Sequence, residues 1–271
     1  MSVRDLLSPF TAWKNIFRDP VSIKDPFNRE ATERYRGFHQ NDVEKCIGCG
    51  TCEAICQNGA IDMVPVEGVE GISTRPGDSG LRPRIDYGRC CWCALCVDVC
   101  MTSSLSMSNE YKWVESDPDK FTFVPGVDKK HWDDVKHGYH RPDGHRLNAP
   151  ERIEMPELEP GARIDSFVEI VGGYSVEQAV LEADRCVTCG ICVATCPTHM
   201  PIPEYISAIR DGDYEAGLKL LYDSNPFSQI CGKICTRKCE TSCAASHEGE
   251  PIAIRWLKRH ITEQVPFDRY R

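Results

Sequence analysis

No stretch of this chain comes near the 18 or so consecutive apolar residues that a membrane-spanning helix requires. The start, MSVRDLLSPFTAWKNIF, has no basic segment leading into an apolar run, so no export signal is read there. No face is basic enough to suggest nucleic acid: 32 Lys and Arg stand against 41 Asp and Glu, for a net charge of −9. G-x-G-x-x-G, P-loop and H-E-x-x-H motifs are all missing, as is any recognisable Ser-His-Asp set. These absences argue against dinucleotide binding, nucleotide hydrolysis and hydrolytic catalysis on these residues.

What the chain has in excess is cysteine, at 17 of 271 residues. In a short secreted protein such a count signals disulfides. In a long chain with no export signal, clustered thiols more often serve metal. They fall into four groups. CIGCGTCEAIC contains Cys46, Cys49, Cys52 and Cys56, and CCWCALCVDVC contains Cys90, Cys93, Cys96 and Cys100. CVTCGICVATC contains Cys186, Cys189, Cys192 and Cys196. The last, CGKICTRKCETSC, spaces Cys231, Cys235, Cys239 and Cys243 evenly, and Cys91 is left over.

The spacing points to iron–sulfur cubes rather than zinc, which usually takes two separated C-x2-4-C pairs. Three of the groups place three thiols on one tight loop and a fourth one helical turn beyond. In a two-cluster arrangement the loop holds three corners of a [4Fe–4S] cube, and the fourth cysteine reaches the neighbouring cube. The first two groups form an internal repeat, in which Ile61 and Leu105 each follow the fourth cysteine by the same interval. We assign Cys46, Cys49, Cys52 and Cys100 to cluster 1, and Cys90, Cys93, Cys96 and Cys56 to cluster 2. The proline that usually follows the fourth cysteine is Gln57 in one repeat and Met101 in the other. Because proline there only stiffens the turn, altered tuning is expected rather than a lost cluster.

Residues 8–110 resemble the two-cluster ferredoxin-like subunit of respiratory complex I and of related membrane-bound hydrogenases. The resemblance is carried by SPFTAWKNIFRDPVSIKDP, ERYRGFH, the two cysteine motifs and SMSNEY, in that order. It implies a wire beside a membrane that passes electrons to a cluster of a neighbouring subunit. In the arm, Ser8 can cap a helix that starts at Pro9. Phe10, Trp13 and Phe17 then share a face beside Lys14 and Arg18. That face suits a membrane surface, a partner, or this protein's own core.

Residues 168–265 resemble a second family, the N-terminal iron–sulfur domain of the glutamate synthase small subunit and of dihydropyrimidine dehydrogenase. YSVEQAVLEADRCVTCGICVATCPTHMPIPEYI, YEAGLKLLYDSNPFSQICGKICTRKCETSC and EPIAIRWLKRHI carry it. Locally, Ser175 and Gln178 read as a capping box and Asn225-Pro226 as a helix stop. The resemblance implies that Cys186, Cys189, Cys192 and Cys243 share cluster 3, and that Cys196, Cys235 and Cys239 hold cluster 4. Some relatives complete the last site with a non-cysteine side chain where this chain has Lys258, a poor ligand, so Cys231 is the expected fourth. In those relatives dinucleotide-binding domains with FAD follow. No such motif occurs here, so the flavin is expected on a partner subunit.

The expected fold is α+β. An arm (1–40) leads into a pseudo-twofold 2[4Fe-4S] ferredoxin-like domain (41–108). An ordered connector over the surface (109–167) then leads to an all-α iron–sulfur domain (168–271). His131, His137, His140 and His145 in the connector match no standard metal spacing and read as solvated. Cys91 is expected to pack beside a cluster, and Trp92 to shield it from water. The function expected is electron relay between a flavoprotein related to the glutamate synthase small subunit and a complex I-like or [NiFe]-hydrogenase-like partner, with ferredoxin a further candidate partner. The site would be cytoplasmic or peripheral on the cytoplasmic face of the inner membrane. The alternatives are a wire in a soluble electron-bifurcating hydrogenase or transhydrogenase, and a zinc-binding interaction module.

Overall fold

In the computed structural model of the protein, which describes residues 8–19, 29, 31–69, 71 and 77–270, each of the first two cysteine motifs lies between two strands. The first has β1 (His39–Asn41) before it, α1 (Thr51–Ile55) within it and β2 (Ile61–Pro65) after it. The second repeats this with β3 (Leu81–Asp86), α2 (Leu95–Asp98) and β4 (Leu105–Ser108). Pairing crosses the repeat. β1 runs antiparallel to β4 with His39 opposite Met107, and β2 antiparallel to β3 with Ile61 opposite Ile85. Each strand before one motif thus pairs with the strand after the other, which is the pseudo-twofold the repeat predicts. Ile61 and Leu105, equivalent by that repeat, are both buried.

The connector departs from the expectation of a surface run. Its strands β5 (Thr122–Phe123) and β6 (Gly138–Tyr139) complete two three-stranded sheets, ordered β2-β3-β5 and β1-β4-β6. Trp132 is wholly buried and stacks on Phe38 with ring centroids 4.4 Å apart. Phe123 stacks on Tyr87 at 5.5 Å. Burying rings of this size contributes more than the connector's polar composition suggests. Only Phe121 and Phe123 stand at strand spacing, while Trp113 and Trp132 are isolated among polar residues, so no apolar period runs through the connector.

After the short helix α3 (Pro160–Ile164), the C-terminal part is all helical: α4 (Val176–Asp184), α5 (Ile191–Thr195), α6 (Ile202–Asp211), α7 (Tyr214–Ser224), α8 (Ser228–Ile234), α9 (Lys238–Thr241) and α10 (Ile254–Gln264). The Ser175 box forms in both directions: Gln178 N–H donates to Ser175 Oγ at 3.2 Å and Ser175 N–H to Gln178 Oε1 at 2.9 Å. α7 stops before Asn225, as Pro226 requires. Ile206, Ile209, Leu218, Leu221, Leu257 and Ile261 fill the core between α6, α7 and α10. Helix α8 reaches α10 closely because Gly232 has no side chain; a Cβ there would sit 3.0 Å from the Arg259 Cα.

The arm forms a 3-10 helix, Ser8–Asn15. Phe10, Trp13, Ile16 and Phe17 expose 59–93% of their surface, so this face does not cover the protein's own core. The expected Ser8 cap and Pro9 start concern side chains outside the described residues. Among the described residues, no helix is long and apolar enough to cross a membrane.

Candidate metal centre

The three C-x2-C-x2-C loops share one backbone turn. The residue before the second cysteine has a positive φ in each: 63° at Gly48, 52° at Trp92 and 54° at Thr188. The residue after it does so again, at 74° for Gly50, 68° for Ala94 and 76° for Gly190. This left-handed conformation costs a side-chain-bearing residue roughly 1–2 kcal/mol, so Trp92, Ala94 and Thr188 are held there by the rest of the loop. The turn points backbone N–H groups at sulfur; Trp92 N–H, for example, donates to Cys90 Sγ at 3.4 Å. Gly48 has a second reason to be glycine. A Cβ would come within 2.2 Å of Ser79 Oγ and 2.5 Å of the Leu81 carbonyl oxygen.

Each loop borders a cavity ringed by four thiols. Cys46, Cys49, Cys52 and Cys100 line the first. Cys90, Cys93, Cys96 and Cys56 line the second, together with the spare Cys91 and with His39 at its wall. Cys186, Cys189, Cys192 and Cys243 line the third, roofed by Ile206, Ile252 and Ile254. The fourth group is less regular. Around the buried Cys239, Glu240 is the foremost charged neighbour, followed by Cys196, Cys235 and Lys258. Cys231 is not among them; its sulfur accepts from Asn225 Nδ2 at 3.5 Å, and its carbonyl receives the Cys235 N–H.

These donor sets suit a multivalent iron cube. Burial, reinforced by the neighbouring thiolates Cys90 and Cys93, pushes the Cys96 thiol up to about 12. Burial, with Cys49 and Cys243 next, does the same at Cys189. Burial also raises Cys239 to about 12 and Cys90 to about 11. Such crowded thiols become thiolates together only with positive charge between them, which bound metal supplies. Among the described residues, no three His, Cys, Asp or Glu side chains converge on one point as a single ion requires. Of the connector histidines, His131 lies near Glu110 at 3.9 Å and His137 near Glu33 at 3.7 Å.

Supporting side chains surround the loops. Arg82, wholly buried, makes paired bonds to Asp78 at 2.9 and 2.8 Å and donates to the Val43 carbonyl at 3.0 Å. Ser79 Oγ–H donates to the Gly48 carbonyl at 2.7 Å. Together they brace the first loop from behind. In the helical part, Glu182 and Arg185 form a buried pair at 2.8 Å. Glu182 also accepts from Ile153 N–H and Ala253 N–H, both at 2.8 Å, which ties the end of the connector to the helix leading into Cys186.

The two halves meet at their clusters' loops. Ile47, Ile191 and Ala244 form a small apolar cluster on which Cys49 and Cys189 both pack. A cleft of about 410 Å³ opens beside it between Gly48–Ala54 and Val187–Ala194. Met101, directly after Cys100, is 3% exposed and belongs to the helical part's core. Arg141 donates to the Cys100 carbonyl at 2.7 Å and forms an ion pair with Glu248 across the same seam.

Residues 163–268 match the family model described as dihydropyrimidine dehydrogenase domain II, 4Fe-4S cluster, and residues 45–104 match the 4Fe-4S dicluster domain. The chain joins these two iron–sulfur domains. Both halves align with AegA of Escherichia coli (strain K12), named an oxidoreductase, at 25% identity over 241 residues, or 83% of this chain and 35% of AegA. The glutamate synthase [NADPH] small chain of Escherichia coli (strain K12) is 31% identical over 119 residues, 42% of this chain and 25% of that protein. The chain therefore spans about a third or less of the length of these relatives. Among solved structures, a chain of the membrane-bound sulfane sulfur reductase, an archaeal respiratory membrane complex, matches 46% of this chain and 69% of its own at 34% identity, with a TM-score of 0.32.

Two local expectations for the dicluster domain need correction. Cys91 borders the second cavity, as expected, but is exposed rather than buried there. Trp92 is itself 36% exposed, with its ring 5.6 Å from Tyr87, and so covers the loop only in part. Arg82, Asp78, His39, Tyr87, Glu182 and Arg185 were not singled out from sequence. The pair Asp78–Arg82 reads as ordinary surface charge until the fold buries it.

Proposed function

We propose that the chain is the electron-relay part of a multisubunit oxidoreductase and carries four [4Fe–4S] clusters. In this reading Cys46, Cys49, Cys52 and Cys100 hold cluster 1, and Cys90, Cys93, Cys96 and Cys56 hold cluster 2. Cys186, Cys189, Cys192 and Cys243 hold cluster 3. Cys196, Cys235 and Cys239 hold cluster 4, with Cys231 as the candidate fourth thiolate. The observation that carries the proposal is the set of three cavities, each bordered by the four thiols assigned to it. The packing of Cys49 and Cys189 on one apolar cluster at the domain seam supports the order 2–1–3–4.

The cubes supply one-electron chemistry when bound. The chain's own residues hold them, bury their thiolates and aim N–H groups at sulfur, which together set the potentials. One end of the relay, at cluster 4, faces a flavin held outside these 271 residues. The likeness of domain II to the glutamate synthase [NADPH] small chain supports this. The other end, at cluster 2, faces a cluster-bearing partner of complex I or [NiFe]-hydrogenase type, in keeping with the arm and dicluster pattern.

Metal and flavin analysis of the native complex, isolated without oxygen through a tag on this chain, tests the reading. About sixteen irons per chain, four cubes of four, are expected, with flavin present; stoichiometric zinc in place of iron refutes it. Cys231→Ser then addresses cluster 4: loss of about four irons supports Cys231 as the ligand, and retention rejects it.

A further inference from the structure

His39, Tyr87 and Cys96 form a buried polar chain beside the second cavity. His39, on β1, is 1% exposed, and its backbone N–H donates to Tyr87 Oη at 2.7 Å. The same hydroxyl oxygen lies 2.7 Å from Nδ1 of the His39 ring, while Nε2 lies 3.2 Å from Cys96 Sγ. One placement of hydrogens satisfies all three contacts. The hydroxyl accepts from the backbone and has a single proton to give, which goes to Nδ1. A neutral ring that accepts at Nδ1 carries its hydrogen on Nε2, where it meets the sulfur. The other tautomer would turn a ring lone pair toward Cys96 and leave the Tyr87 proton without an acceptor.

The pseudo-twofold offers an internal comparison. Cys46 and Cys90 are 44 residues apart, and the same interval carries His39 onto Pro83. His39 borders the cavity of Cys90, Cys93, Cys96 and Cys56, and Pro83 borders that of Cys46, Cys49, Cys52 and Cys100. One place in the fold therefore presents an N–H donor to one thiol ring and a residue with no donor to the other.

We propose that His39 is a tuning residue for cluster 2, donating from Nε2–H to the Cys96 sulfur, and that Tyr87 holds it in the tautomer that makes this possible. The proposal rests on the reading of those four thiols as cluster ligands. Reduction adds one electron to the cube and moves no proton; the hydrogen stays on Nε2. Because the reduced cube is the more negative, a donor to its ligand sulfur stabilises it more than the oxidised form and raises its potential.

The test is an EPR-monitored redox titration of the full chain with clusters assembled anaerobically, cluster 2 being the signal lost in Cys93→Ser. In His39→Phe this cluster should become harder to reduce by about tenfold, ~59 mV for one electron, with the others unmoved. His39→Gln, which keeps an amide donor, should recover most of the shift, and Tyr87→Phe should show part of it. An unchanged potential in His39→Phe, or equal shifts in the Phe and Gln variants, overturns the proposal. The unmutated chain gives a test that no folding defect can cloud. Reduced cluster 2 should show a hyperfine coupling to an exchangeable proton and to a nitrogen that 15N-histidine labelling alters, and its absence overturns the assignment. No iron–sulfur signal at all in the unmutated chain would instead overturn the cluster reading beneath it.

Discussion

Glu182→Gln takes one charge and one acceptor from a site with no access to water. Both side chains of the Glu182–Arg185 pair are at most 4% exposed. Oε1 accepts from Arg185 Nη1 and from Ala253 N–H, and Oε2 from Ile153 N–H, all at 2.8 Å. Glutamine offers one oxygen and one NH2 in the same outline. Whichever way the amide is turned, its NH2 faces at least one N–H, so a buried donor loses its partner at a cost of about 1–3 kcal/mol. Arg185 meanwhile keeps a buried charge with no counterion, and removing one member of such a pair costs about 3–5 kcal/mol in all. Arg185 still donates to the Ala149 and Glu250 carbonyls at 3.0 and 2.6 Å, which favours the lower figure. About 3 kcal/mol corresponds to a fall of roughly 6–12 °C in Tm for a chain of this size. The measurement is anaerobic thermal unfolding followed by circular dichroism and by visible cluster absorbance on one sample. The exposed pair Lys45–Asp42, with side chains 66% and 42% accessible, serves as control. Asp42→Asn should cost no more than about 1 kcal/mol. A Glu182→Gln protein that melts with the control would refute the claim that this pair anchors the connector.

Three further outcomes are expected. Gly48→Ala places a Cβ against Ser79 Oγ and the Leu81 carbonyl in a left-handed turn, so the variant should lose cluster 1, about four irons per chain, by iron analysis. Thr188→Gly, at the equivalent position of the third loop, removes a β-branched side chain from φ 54° and should stabilise the domain by about 1 kcal/mol in urea unfolding. Cys91→Ser should retain all iron because Cys91 lies outside the assigned set, whereas Cys93→Ser, likewise exposed, should lose one cluster.

Much of this was legible in the sequence because cysteine spacing encodes local backbone. The C-x2-C-x2-C loops, the repeat pairing Ile61 with Leu105, the Ser175 capping box and the Asn225-Pro226 stop each depend on residues a few positions apart. What could not be read was contact at long range. His39 meets a sulfur 57 residues away, and nothing in RGFHQND distinguishes that ring from a solvated one. Asp78 precedes β3 and Arg82 is its second residue, and charges at the edge of a short strand normally face water. Trp132 sits among lysines and aspartates, so composition argues for the surface while its size argues for the core; the structure sides with size.

The two repeats have drifted apart where their surroundings differ, and this bears on the direction in which the relay is built. Gln57 and Met101 occupy the same place after the fourth cysteine. Gln57 faces solvent, while Met101 is buried in the helical core. A proline at 101 would supply a smaller side chain to that seam, so packing on the second domain accounts for methionine there. Around the thiols assigned to cluster 1, Ile47, Met101 and the Arg141–Glu248 pair are buried against the second domain. At the thiols assigned to cluster 2, Cys93, Trp92 and Leu95 are exposed. At the far end, Phe227, Ile230 and Ile234 are exposed on the helix that leads into Cys235. Exposed apolar side chains at both ends and a sealed middle are what a relay needs if partners approach only its ends. Between those ends, Ile47, Ile191 and Ala244, with Cys49 and Cys189 packed on them, close the seam of the two domains.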